Sequence, residues 1–456
     1  MGKFIETLKN IWAIKELKER ILFTLLLLLI YRIGSFIVLP GVNSEALELA
    51  MAQNAGNNDL LSIINTFTGG AFNQASIFAL GIMPYITASI IIQLLGFAVP
   101  YFQKLQQKEG ESGRKKITQI TRMLTVLITL VQGGGYLTWI KSQQGAIHAS
   151  VSDSVFWFSN IIILTTGTVF AMWLGEKITD KGIGNGVSLL ITIGIIAALP
   201  RSFATEVITQ INDGGLFILV LELAAFFAVV LAVVLIVQGV RRIPIQFAKK
   251  MVGRSSGNIP AAGARDYIPL KVNASGVMPI IFAQAIMFLP MTIVTFLSKD
   301  GEPASEFMRS LGDWQSLPYN IIFFLLVVVF TYVYTALLVN PQQYAEYLKR
   351  QNAFIPGIKP GKSTQDYIDT LTTRVTLPGS IFLGLISVLP AIVAVFGVNQ
   401  GFALFFGGTS LLILVAVVLD TLQQIESYLL MRKYDGLVKS GRIKGRSGMQ
   451  TIGAGM

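Results

Sequence analysis

Residues 216–240 read LFILVLELAAFFAVVLAVVLIVQGV, an apolar run broken by one carboxylate, Glu222. At about 1.5 Å per residue, a helix of this length crosses the roughly 30 Å hydrocarbon core of a bilayer. Lipid offers backbone N–H and C=O groups no partner, so the run must be helical. Nine further apolar blocks flank it. The ten expected spans are 21–39, 76–99, 117–140, 155–175, 187–204, 216–240, 275–297, 319–340, 375–396 and 402–430. Only 13% of the 456 residues are charged, against about 25% in soluble proteins. The chain therefore reads as an all-α integral membrane protein.

Basic residues orient the spans. Of 36 Lys and Arg, 30 fall in the connectors that include both termini and 4 in the opposite set, with Arg32 and Arg122 inside spans. The positive-inside rule puts both termini in the cytoplasm. Residues 1–20 read as a charged amphipathic segment, not a cleavable signal peptide, and 432–456 as a basic tail. Connectors 241–274 and 341–374 are long, basic and rich in Gly and Pro. Loops of this length in a compact bundle are usually functional. Their candidate contact cations are Lys249, Lys250, Arg254, Lys349, Arg350, Lys359 and Lys362.

The stretch 60–73 is apolar but too short to cross. It reads as a re-entrant helix on the outer side, which implies a cavity around it.

Span two opens with Gly81-Ile82-Met83-Pro84-Tyr85-Ile86, and span seven with Gly276-Val277-Met278-Pro279-Ile280-Ile281. Amides follow each copy, at Gln93 and Gln284. The span offset is odd, so the copies run in opposite directions. Such inverted repeats place the functional site near the midplane, where the halves meet. The halves divide at 21–205 and 206–431.

Several chemistries lack their residues. There is no Cys and a single His, His148, in a connector. Neither H-E-x-x-H nor G-x-S-x-G occurs. No facing set of carboxylates is expected within the spans, and Arg32 is expected to snorkel. No catalytic residue, metal set or cofactor is expected. A passive pore gated by apolar side chains fits best. The alternative is a secondary transporter built on inverted repeats.

The chain resembles the SecY family over nearly its whole length. The blocks that carry the resemblance are Ser76–Ile86, Glu109–Arg114 (EGESGR), Gly182–Gly186 (GIGNG), Pro269–Asn273 (PLKVN) and Gly407–Leu412 (GGTSLL). The resemblance implies ten helices in two inverted five-helix halves around a central pore. It also implies a channel subunit of a bacterial plasma-membrane preprotein translocase, not an enzyme. By motif, its pore ring would be Ile82, Ile86, Val187, Ile191, Ile281 and Ile413. Val187 departs from the commoner Ile. The plug would be 60–73, with Leu60, Ile64, Phe67, Thr68, Gly69, Gly70 and Phe72. The lateral gate would lie between spans two and seven, at Thr87, Ile90, Gln93, Phe282 and Gln284. Implied partners are SecE-like and SecG-like small membrane subunits, the SecA motor ATPase, the ribosome, preprotein signal sequences and membrane lipids. The loop Phe354–Gly361 matches a family motif, except that Lys359 replaces the usual Arg and loses its bidentate fork.

Overall fold

A computed structural model describes residues 12, 14–44, 46–47, 60–107, 110–143, 145–148, 151–212, 215–247, 265–297 and 306–439. Ten long helices stand at the ten expected spans. They are α1 (Lys15–Gly34), α3 (Met83–Ala98), α5 (Gly110–Ser142), α6 (Asp153–Lys181), α7 (Gly186–Asn212), α8 (Leu216–Gln238), α9 (Met278–Leu297), α11 (Leu317–Leu338), α13 (Lys362–Val395) and α15 (Gly408–Lys439). Shorter helices intervene: α2 (Leu60–Thr68), α4 (Pro100–Gln107), α10 (Glu306–Gly312), α12 (Pro341–Arg350) and α14 (Gln400–Ala403). Seven of the described helices are long and apolar enough to cross a membrane by length and composition, or eight if the bent pair at 83–106 is one span.

Several helices outrun their apolar blocks. α1 begins in the charged segment Lys15–Arg20, α5 begins at Gly110 and α13 at Lys362. Hydropathy reports where lipid ends, whereas a helix continues into water wherever its backbone bonds persist. α3 stops where Pro100 forces its predecessor, Val99, into extended geometry (φ −114°, ψ 119°). α4 then leaves at 102° to it.

The spans cross closely at small residues, as membrane helices do when lipid supplies no hydrophobic drive. Glycines 133, 134 and 135 are buried in α5. A Cβ at Gly186 would collide with the carbonyl oxygen of Gly175 on α6. The main pairings are α3 with α5, α5 with α6, α6 with α7, α7 with α15, α9 with α11, and α11 with α13. α9 touches α3 and α5 more lightly.

The two long basic connectors carry structure beyond the bundle. β1 (Val240–Phe247) pairs antiparallel with β2 (Arg265–Lys271), and its end also pairs with β3 (Ala353–Phe354). The sheet order is β2-β1-β3. Pro244 is tolerated because β3 reaches only Gln246 and Phe247, which leaves that side of β1 an edge. Ile243, Ile245, Leu270, Leu348, Ile355 and Ile368 form this unit's own apolar core.

Candidate pore, plug and gate

Each proposed ring position is delivered by a helix start. Gly81 takes φ +53°, turning the chain into α3, and Pro84 occupies the first turn, where its missing N–H costs nothing. The Ile86 N–H donates to the Ile82 carbonyl at 3.1 Å, so both side chains share a face. The turn 182–186 is held by side chains from three helices. Ile183 N–H donates to Thr24 Oγ1 (3.0 Å), Gly184 N–H to Gln424 Oε1 (2.8 Å) and Gly186 N–H to Thr179 Oγ1 (2.9 Å). That turn fixes the start of α7 and hence Val187 and, one turn on, Ile191. α15 starts at Gly408 with φ +59° and carries Ile413.

The structure brings all six into one apolar cluster. Ile82, Ile86, Ile191 and Ile413 are buried members, and Val187 and Ile281 are partly buried against them. Phe67 belongs to the same cluster. An apolar cluster of this kind offers water no hydrogen-bond partner, which is what a constriction that resists wetting requires.

The segment 60–73 forms the short helix α2 and a turn. α2 ends in a Schellman motif: Gly70 N–H donates to Asn65 O (3.0 Å) and Gly69 N–H to Thr66 O (3.3 Å). The turn needs left-handed backbone, and Gly69 (φ +63°) and Gly70 (φ +94°) supply it. Phe67, Thr68 and Phe72 are buried, and Ile64 is half-buried. Leu60 opens the helix, but its side chain lies outside the described residues. α2 lies on α7 where Gly194 leaves room, since a Cβ there would collide with the Phe67 carbonyl oxygen. Val187, Ile191 and Gly194 are successive turns of one helix face, so the two expected ring positions on α7 adjoin the seat of α2.

The gate positions are mostly buried. Thr87 Oγ donates to Met83 O (3.1 Å), Ile90 is buried, and Gln93 Nε2 donates to Ser89 Oγ (3.1 Å). Phe282 packs edge-on against Phe330 and Tyr334 of α11, at centroid distances of 6.0 and 5.5 Å. Gln284 is buried and lines a cavity of about 30 Å³ with Thr66, Asn320, Ser387, Thr409 and Ser410. That is room for about one or two waters.

Of the candidate loop cations, Lys349, Arg350, Lys359 and Lys362 are exposed. Lys359 lies between two left-handed glycines, Gly357 (φ +85°) and Gly361 (φ +103°). Thr364 Oγ1 donates to its carbonyl at 2.9 Å. Lys362 stands in the first turn of α13, where a cation opposes the helix dipole, so helix stability does not account for it. Lys249, Lys250 and Arg254 lie outside the described residues.

Two expectations need correction. Arg32 does not merely snorkel, because its Nη1 donates to the Gly69 carbonyl at 2.8 Å. Carboxylates do face each other: Gln210 Nε2 bridges Glu206 Oε1 (2.9 Å) and Glu222 Oε1 (3.1 Å), and Asn399 N–H donates to Glu206 Oε2 (2.9 Å). Both acids are buried near the α7–α8 connection. The spacing Glu206/Gln210 (i, i+4) at the end of an apolar run was the available signal. This cluster stitches the end of α7 to α8 and to the turn before α14.

Comparison with known proteins bears on all of this. The SecY family profile matches residues 76–422. The protein translocase subunit SecY of Chlamydia muridarum is 38% identical, over 96% of this chain and 99% of its own length. One similar solved structure concerns a SecY plug domain that stabilises the closed translocation channel and maintains a membrane seal. Its TM-score is 0.60 at 18% identity, covering 90% of this chain and 91% of the other. Sec61 in a canine ribosome-channel complex from the endoplasmic reticulum aligns with TM-score 0.57 at 17% identity, covering 90% and 91%.

Proposed function

Because the chain belongs to the SecY family of protein-conducting channel subunits, we propose that its six clustered apolar residues are the resting seal of a preprotein pore. The pore lies between halves 21–205 and 206–431, is stoppered by 60–73, and opens sideways to lipid between α3 and α9. The observation that carries this reading is the shared apolar cluster of ring positions from four helices together with Phe67 of the plug. The light contact between α3 and α9 supports the gate. Unfolded secretory chains would pass through the ring, and signal sequences would leave through the gate. A SecA-like motor or a ribosome would supply the energy, and SecE-like and SecG-like subunits would brace the channel. The experiment is reconstitution in vesicles. Motor-dependent protection of a secretory protein supports the reading, whereas ion-gradient-driven uptake of a small solute without such protection supports a transporter instead.

We infer a bacterial plasma-membrane location with cytoplasmic termini from the Lys and Arg bias. The chain contains no Cys, so single Cys probes report topology cleanly. Ser142 and Ser363 are both exposed. A Cys at Ser363 is expected to react only with reagent on the cytoplasmic side, and one at Ser142 only from outside. Labelling of both from one side would end the ten-span topology.

The exposed loop cations are the proposed contact for an acidic motor surface or ribosomal RNA phosphate. If the Lys359 contact is mainly Coulombic, Lys359→Arg keeps activity and Lys359→Glu loses most motor ATPase stimulation. Stability should change by no more than about 0.5 kcal/mol, because the side chain is exposed. Wild-type stimulation by membranes bearing Lys359→Glu would move the contact to another part of these loops.

A further inference from the structure

We propose that Arg32 is the positioning residue that latches the plug in its resting seat, by binding the carbonyl at the plug's hinge. This rests on the reading of 60–73 as a plug.

Arg32 comes from α1, and its Nη1 donates to Gly69 O at 2.8 Å. Gly69 is the left-handed residue that ends α2, so the guanidinium stands at the C-terminal end of the plug helix. Unpaired carbonyls concentrate there, and a cation is favoured. The fit is close: a Cβ at Gly69 would lie 2.7 Å from Arg32 Nη1 and 2.9 Å from Gly194 Cα. The hinge is thus pressed between the α1 arginine and the α7 seat. No carboxylate among the described residues forms a salt bridge with Arg32, and its Cζ stands 5.0 Å from the Phe36 ring. A second tether lies three residues on, where Tyr136 Oη donates to the Phe72 carbonyl at 2.6 Å.

The choice of arginine has a physical consequence. The bond ends on backbone, so no plug side chain specifies it. When the plug swings out, Gly69 O and the guanidinium both regain water, so the latch can be released and remade. An ion pair with a buried carboxylate would instead leave an uncompensated charge behind.

The test uses the assembled translocase in vesicles, with Cys at Thr66 as the reporter. Thr66 is buried at rest, so an impermeant maleimide added outside reads plug departure. A hydrogen bond to a charged group is worth roughly tenfold to a hundredfold in the latched population. Arg32→Met should speed labelling by that factor, and Arg32→Lys, which keeps the charge and one donor, by less. Gly69→Ala attacks the same contact from the plug side and also crowds the Gly194 seat, so it should speed labelling at least as much, and adding Arg32→Met to it should contribute less than Arg32→Met does alone. Labelling left unchanged by Arg32→Met and Gly69→Ala would overturn the latch. So would an Arg32→Met leak of equal size with residues 60–73 deleted, since the guanidinium would then act on the ring. The plug reading fails separately if deleting 60–73 leaves resting conductance unaltered.

Discussion

Replacing Ile86 and Ile413 together with serine will raise the resting ion conductance of the reconstituted channel on the order of a thousandfold. Ile86 is 7% exposed and Ile413 1%, so both present their branched carbons to the cluster. Each Ile→Ser exchange removes apolar surface worth about 2 kcal/mol of wetting cost, at about 0.8 kcal/mol per methylene-sized group. It also adds a hydroxyl to which water can bond. Two such changes on different helices leave a continuous polar path through the constriction, and about 1.4 kcal/mol corresponds to each tenfold. Single substitutions should leak much less, because the remaining isoleucine keeps that part of the proposed seal apolar. The cost in packing, about 2–5 kcal/mol for a buried isoleucine cut back to alanine size, makes a check on assembly necessary. A double variant that assembles normally and conducts no more than the wild type would remove these residues from the seal.

Gly194→Ala should unseat the plug. The added Cβ would collide with the Phe67 carbonyl oxygen and stand 3.2 Å from Gly69 N. One of the two elements must move. α7 runs from Gly186 to Asn212 through the main apolar cluster, whereas α2 runs only from Leu60 to Thr68. The short helix therefore yields. We expect a resting leak on the order of tenfold or more from one methyl group, with overpacking costing about 1–3 kcal/mol. Gly133→Ala is the matched control, since a Cβ there meets its nearest neighbours only at 3.8 Å. It should change neither conductance nor stability appreciably. Equal behaviour of the two alanine variants would mean that the plug does not depend on this seat.

What could be read from the sequence differs between the bilayer and the water beside it. The ten spans were legible because lipid imposes one rule, continuous apolarity, on every crossing. Residues 216–240 satisfy it with one charged exception, Glu222. That exception was read as isolated because its partner, Glu206, lies across a helix turnaround and outside any repeating pattern. The duplicated Met-Pro hexad pointed to Ile86 and Ile281 as equivalent positions, and both lie in the main apolar cluster. Arg32 was legible as unusual but not as useful, since its acceptor is a main-chain carbonyl that no residue identity announces. The three-stranded sheet escaped notice for a similar reason. Pro244 and Pro269 argue against strands, and only the register, with Pro244 opposite Tyr267 and Pro269 opposite Arg242, shows how they are accommodated.

That small sheet also sets how load travels. β1 and β2 continue from α8 and into α9, while β3 joins α12 to α13. Val272 N–H is bonded to Gly239 O at 2.9 Å, and a Cβ at Gly379 on α13 would lie 2.8 Å from Val272 O. The two long basic connectors are consequently one yoke rather than two tethers. A push on either is shared among the helices rooted in it, so force applied at the proposed loop contact would move several helices together rather than one.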